Sequence, residues 1–339
     1  VANPFRPGAG RRPPLLAGRE PVLDAFDVVR RRAEELGEGD RSWILNGLRG
    51  VGKTVLLTEL LNRVSGRGWI SAKVEARATA SLSVSFGQSL LRALRTATGR
   101  HPEPRLRRLL GIFKAFSLRV DPTGTVSLGV DVQPIQGIAD SGRFSDDLAA
   151  LFDALGETAR DLGIGVLVLI DELQEATAAE LAALNTAVHH VGQADVPLPL
   201  IVVGAGLPSL PSQLAEATSY AERLYDYRSV GLLDAAAARQ ALTVPAKARG
   251  VAGTKRGWLP RSEPHGDTPT SSRRSASTAL AREGAAAVAD IARFMDKART
   301  SDISVARDEL IKKGLAYAPE RGLLAFTVPG MHEFVVRQP

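Results

Sequence analysis

Residues 45–61 read "LNGLRGVGKTVLLTELL" and set three glycines and a lysine between an apolar run and a helical pattern. The eight residues Gly47, Leu48, Arg49, Gly50, Val51, Gly52, Lys53 and Thr54 fit the spacing GxxxxGK[ST] throughout. Residues of these types at this spacing suit one kind of chemistry, the holding of a phosphate. Glycine at 47, 50 and 52 admits positive φ, so successive backbone N–H groups can converge on phosphate oxygens. A helix opening at Lys53–Thr54 and continuing through Val55 adds its N-terminal dipole to the same anion. Lys53 has the reach to neutralise β- and γ-phosphates, and the Thr54 hydroxyl is a magnesium ligand. The expected ligands are therefore ATP or ADP with Mg²⁺, cradled by residues 47–54 as a Walker A motif.

Such a loop needs an acidic counterpart. "VLVLIDE", residues 166–172, delivers Asp171 and Glu172 at the end of an apolar run that reads as a buried strand. Ligands of open α/β sheets bind at that carboxyl edge. Asp171 is expected to hold Mg²⁺ through its water shell, and Glu172 to polarise an attacking water, with Lys53 as the other catalytic group. An apolar run ending in Asp-Glu also occurs as an ordinary strand entering a helix. The phosphate loop upstream decides for the Walker B reading.

The elements that must position these residues follow from periodicity. Helical spacing runs from Val22 to Leu36, with Pro21 in the first turn. "SWILNG" is a short strand leading into the glycine loop, and Val55, Leu56, Leu60, Leu61 and Val64 mark the helix behind it. "GWISAKVEA" predicts the next strand, then helices over about 82–97 and 105–115, then a β-hairpin in "FSLRVDPTGTVSLGVDV" turning at Thr123–Gly124. Helices over about 144–162 and 177–191, with buried strands "GIGVLVLIDEL" and "PLPLIVVGAG", complete the series. Strands alternating with helices predict a three-layer α/β fold around a parallel sheet, of the P-loop NTPase type.

After Pro245 the texture changes to a breaker-rich stretch without apolar period. Order returns with the helices "AAAVADIARFM" and "SVARDELIKKGL" and a hairpin in "AYAPERGLLAFTV" turning at Glu320–Gly322, the outline of a winged helix. The expected domains are an ATPase domain at 1–245 with an extended arm at 1–17, an irregular lid or linker at 246–280, and a small winged helix at 281–339.

Composition excludes several classes. The 339 residues contain no cysteine, which removes disulfides and thiolate metal sites, and the five histidines show no ligand spacing. No stretch approaches the roughly 18 apolar residues of a membrane span, and the opening residues lack the apolar core of a secretory signal. A cytoplasmic location without membrane contact is expected. The net charge of +6 is spread over many arginines rather than one basic block.

Gly47–Thr54, "LIDELQ" and the "AGRE" of residues 17–20 together resemble AAA+ ATPases of the origin-recognition-like branch, which shades into the signal-transduction ATPases with numerous domains. By that resemblance the N-terminal arm lies near the adenine, and Arg19 lines the base pocket. "VVGAGLPSLP", "SYAERLYDY", "LIKKGLAYAPERG" and "FTVPGM" carry a closer likeness to a class of actinobacterial ATP-binding proteins, over about 1–250 and 281–339.

Two departures from the family pattern bear on activity. AAA+ enzymes usually carry a polar residue near the end of the strand after Walker B, and this chain has Gly204, Ala205 and Gly206 there. Arg223 and Arg228 are the candidates for an arginine finger, each readable equally as an ordinary surface or ion-paired arginine. A slow or partner-dependent hydrolysis is the expectation, with a protein partner or a homo-oligomer supplying what is missing. The second departure is 253–279, where relatives carry a helical segment with a Gly-Tyr-Pro-Tyr-Phe-like core. GC-rich codons for His265 through Thr278 can spell Arg-Gly-Tyr-Pro-Tyr-Phe-Leu-Gln in another frame, so a shifted reading frame competes with a genuine polar linker.

In the second helix of the C-terminal pair, Arg307, Lys312 and Lys313 are diluted by Asp302, Asp308 and Glu309. The main expectation is an ATP-binding switch or weak Mg-dependent ATPase. A DNA-binding initiator with ATP as conformational effector is the alternative, and a degraded copy without a working lid is the third.

Overall fold

The computed structural model describes residues 12–100, 103–120, 132–248, 285–294, 299–312, 316–318 and 322–326. Five strands, β1 (Ser42–Asn46), β2 (Ile70–Glu75), β3 (Val166–Asp171), β4 (Leu200–Gly206) and β5 (Tyr225–Ser229), line up in the order β2-β3-β4-β1-β5. Every neighbouring pair is parallel. Each residue of β3 and of β4 is buried, which is why both sequences are continuous apolar runs rather than alternations. The register sets Glu75 beside Asp171 and Asn46 beside Gly206, so the carboxyl ends of four strands are level.

The covering helices are α1 (Glu20–Leu36), α2 (Lys53–Val64), α3 (Leu82–Arg100), α4 (Pro104–Val120), α5 (Phe144–Asp161), α6 (Ala178–Gly192), α7 (Leu210–Ala217) and the short α8 (Ala221–Leu224). Leu90, Leu94, Phe113, Phe116 and Phe152 of α3, α4 and α5 are buried together with Ile70 and Val168 of the sheet. Phe86 and Phe152 meet edge to face at 6.1 Å between ring centroids. Thr177 caps α6 in a reciprocal pair with Glu180, whose carboxylate also accepts from the Leu82 N–H at the start of α3.

The hairpin expected from Phe116 is corrected in its first part. Helix α4 continues to Val120, because Leu106, Leu109, Phe113 and Phe116 share one buried face at helical spacing. The rest of that expectation falls on 121–131, outside the described residues. Strand β5 and helices α7 and α8 were not foreseen. "YDYRS" is an edge strand with only its first residue buried, so it carries no apolar run.

The chain divides into two units. One, Phe5–Asn46 with Gly52–Val230, holds the parallel sheet; the other comprises Val1–Pro4, Gly47–Val51 and Gly231–Pro339. The second unit contains α9 (Ala235–Ala248), which carries Pro245 inside it instead of stopping there. It also contains β6 (Ala285–Ala287), α10 (Val288–Phe294), a 3-10 turn at Thr300–Ile303, α11 (Ser304–Lys312), β7 (Ala316–Tyr317) and β8 (Leu323–Phe326). The last three strands form an antiparallel sheet in the order β6-β8-β7 over a small core of Val288, Ala292, Ile303, Ala316 and Leu324. The first residues of the expected helix "AAAVADIARFM" are thus strand β6, paired with β8. The segment 253–279, with its reading-frame expectation, lies outside the described residues. Among the described residues, no helix is long and apolar enough to cross a membrane.

Candidate functional site

Strand β1 ends at Asn46, whose carbonyl accepts the Val230 N–H at 2.8 Å. The chain then turns through Gly50 at φ 80° and Gly52 at φ 96°, a backbone region in which any L side chain is strained. Gly52 opens α2 without a side-chain cap, and its carbonyl accepts the Leu56 N–H at 2.9 Å. No acidic residue stands in the first turn of α2. Lys53 sits in that turn with only 6% of its surface exposed, followed by Thr54 and Val55, both half-buried. Gly47, Leu48, Arg49, Gly50 and Val51 belong to the other unit.

From the end of β3, Asp171 comes to the same helix. It is 4% exposed, and the Thr54 side chain stands close enough to favour its charged form. The Glu172 N–H donates to Asp171 Oδ1 at 3.1 Å. Burial pushes the Asp171 carboxyl above the usual carboxylate range, and the charge of Glu172 adds to that; the Thr54 side chain, the Glu172 N–H and the Lys73 charge act in the opposite direction. Lys73 of β2 donates to the Thr58 hydroxyl at 2.7 Å, and that hydroxyl donates to the Thr54 carbonyl at 2.8 Å. The structure therefore brings Thr54, Asp171 and Lys73 together around the first turns of α2. A buried carboxylate against a hydroxyl is a hard-oxygen donor pair, and a cation beside it offsets the burial that disfavours its charge.

Glu172 has φ 50° and ψ 37°, and it is the one non-glycine residue with positive φ among the described residues. Its carboxylate accepts from Gln174 Nε2 at 2.6 Å. Gln174 Oε1 accepts the Leu207 N–H, just past β4, at 3.1 Å. Between them Leu173 is fully buried. A Cβ built on Gly204 would stand 2.7 Å from Leu173 Cδ2, and one on Gly206 would stand 2.7 Å from Gln174 Oε1. The glycines at the end of β4 thus leave room that the turn after β3 fills.

Arg19 stands half-buried immediately before α1, and burial pulls its guanidinium below its usual value. Arg228 is committed elsewhere: it pairs with Asp226 at 2.7 Å and lies 3.8 Å over the Trp43 ring. Arg223 is exposed on α8. Sequence reasoning passed over Lys73 and Gln174. The signal for Lys73 was a lone charge in "ISAKVE", and for Gln174 only its place in "LIDELQ".

Residues 15–203 match the family described as AAA ATPase domain. The chain belongs to the AAA ATPase family. Its parallel sheet and helical layers are the α/β fold expected from the sequence, and the family implies nucleotide binding. Residues 265–335 match a domain of unknown function, DUF8462. Among solved structures, the chain is similar to the Aeropyrum pernix ORC2 protein, at 16% identity over 97% of this chain and 95% of that one, with a TM-score of 0.46. It is also similar to CDC6P from Pyrobaculum aerophilum, at 13% identity over 97% and 95%, TM-score 0.39. A third is the Thermotoga maritima RuvB Holliday junction branch migration motor, at 14% identity over 97% and 99%, TM-score 0.33. No curated protein matches the chain.

Proposed function

We propose that this AAA ATPase domain binds Mg·ATP and acts as a nucleotide-dependent switch with a weak, magnesium-dependent ATPase activity. The observation that carries the reading is the approach of the Thr54 side chain to the buried Asp171 carboxylate, at the start of the helix that follows the glycine loop. Two oxygen donors from distant parts of the sequence meet where the first turn of α2 also presents Lys53.

In this reading 47–54 is a Walker A motif and 166–172 a Walker B motif. Backbone N–H groups of Gly52 and the first turn of α2 would bind phosphate oxygens. Lys53 would neutralise phosphate charge, and Thr54 and Asp171 would hold the metal, Thr54 by its hydroxyl and Asp171 through the water shell. Magnesium, when bound with the nucleotide, offsets charge between the β- and γ-phosphates. Glu172 holds and polarises the attacking water. Arg19 contributes to the base pocket. With Arg228 held by Asp226 and Trp43, a finger in this chain falls to Arg223 or to a neighbouring molecule, and a finger is worth about 10³–10⁵ in rate.

The C-terminal elements α10, α11 and the β7–β8 hairpin serve as a winged helix that docks or reports nucleotide state. Arg307 of α11 is hydrogen-bonded to Asp308, which reduces what it can offer to phosphates of DNA. Phosphate release by the full chain, with and without duplex DNA, tests both parts. Turnover that needs Mg²⁺ and is insensitive to DNA is expected. No turnover under either condition refutes the ATPase, and strong stimulation by DNA moves the reading to a DNA-dependent initiator.

A further inference from the structure

The Glu172 carboxylate does not reach its place alone. The Gln174 side chain leaves the 3-10 turn Leu173–Glu175 and lies between two elements. Its Nε2 donates to Glu172 Oε2 at 2.6 Å and more weakly to Glu175 Oε1 at 3.4 Å, while Oε1 accepts the Leu207 N–H at 3.1 Å. This orientation of the amide is set by its partners. Reversed, it would face oxygen against two carboxylates and nitrogen against a backbone donor.

We propose that Gln174 is the positioning residue of Glu172, tying its carboxylate to the carboxyl end of β4. Three observations converge on it. Glu172 keeps a left-handed backbone that a side chain adopts only where its surroundings hold it. Gly206 leaves the space that Gln174 Oε1 fills, since a Cβ there would come within 2.7 Å of that atom. Leu173, next in sequence, is locked in the same way against Gly204. The turn after β3 is thus keyed into β4 at two points, and Glu172 takes its position from both. Gln174 acts through Glu172.

The inference rests on the reading in which Glu172 orients water, and the experiment separates the two. The full chain and its Glu172→Gln, Gln174→Ala, Gln174→Glu and Gly206→Ala variants are compared in Mg·ATP turnover, ATP affinity and hydrogen exchange at the Leu207 amide. Gln174→Ala should lower kcat by about tenfold to a hundredfold, as expected for a misplaced catalytic group. Its KM and ATP affinity should stay within about twofold, the split that marks loss of an interaction used in the transition state. Exchange at Leu207 should become faster. Gln174→Glu keeps an acceptor for the Leu207 N–H but loses the donors to Glu172, so kcat should fall while Leu207 stays protected. Gly206→Ala crowds Gln174 Oε1 and Leu210 Cδ2 alike and should also lower kcat. In the Glu172→Gln background, Gln174→Ala should cost nothing further.

A rate lost in Glu172→Gln but kept or raised in both Gln174 variants overturns the inference alone, a raised rate meaning that Gln174 sequesters Glu172. A rate unchanged in Glu172→Gln contradicts the reading of Glu172 itself. A wild-type chain that binds Mg·ATP without turnover contradicts both.

Discussion

Strands β1 and β3 both run buried to the same edge of one sheet, and both leave it through a left-handed backbone. After β1 that conformation falls on Gly50 and Gly52, at φ 80° and 96°. After β3 it falls on Glu172, at φ 50°. Glycine adopts such angles without steric cost, so the conformation at Gly50 and Gly52 follows from the residues that adopt it. A glutamate held there costs about 1–3 kcal/mol, which contacts must offset. Those contacts are the Asp171 and Gln174 hydrogen bonds and the burial of Leu173. One turn places glycine at its left-handed positions; the other holds a glutamate there by three contacts.

The contrast can be broken at either turn. The largest effect is expected from Glu172→Gln, which should retain ATP while turnover falls by about 10²–10⁴, the range for loss of a general base; phosphate release with parallel nucleotide titration measures it. Lys53→Ala should weaken ATP by about a hundredfold, the loss of a charge-assisted contact, and isothermal titration reads that directly. Gly52→Ala should destabilise the chain by about 1–3 kcal/mol in a denaturant melt because φ 96° does not suit alanine. Glu172→Gly should change stability by less than about 1 kcal/mol, since relief of the backbone strain offsets the lost hydrogen bond. Equal effects of these last two substitutions would erase the distinction between the turns.

The smallest effect is one of pH. Burial raises the folded-state affinity of Asp171 for a proton above that of the unfolded chain, whose carboxyl has the ordinary value of 3.8. Stability of the nucleotide-free chain should therefore fall as pH rises from 3.8 through the raised folded value, and stay lower above it. Asp171→Asn should flatten that fall and raise the melting temperature at neutral pH. A melting temperature lowered by Asp171→Asn at neutral pH would show that burial is not the dominant influence on this carboxyl.

The same contrast governs what could be read from sequence. The glycine loop was legible because its conformation is encoded by the residues that adopt it, and β3 because a buried strand must be apolar throughout. Gln174 was not legible, because its partner Leu207 is supplied by the β3–β4 register rather than by neighbours in sequence. Strand β5 escaped notice because an edge strand of alternating polar residues imitates a loop. The first part of the hairpin assigned from Phe116 is helix for a related reason. The turn signal at Thr123–Gly124 outweighed a helical apolar face that only packing against α3 and α5 reveals.

The meeting of Lys53, Thr54 and Asp171 is tested most directly by isothermal titration of ATP into the full chain and into Lys53→Ala, each with and without Mg²⁺. Saturable binding to the wild-type chain, tightened by Mg²⁺ and weakened about a hundredfold in Lys53→Ala, is the expected result. Equal affinity in the two proteins, or no binding to the wild-type chain, would contradict the assignment of this site to a magnesium nucleotide.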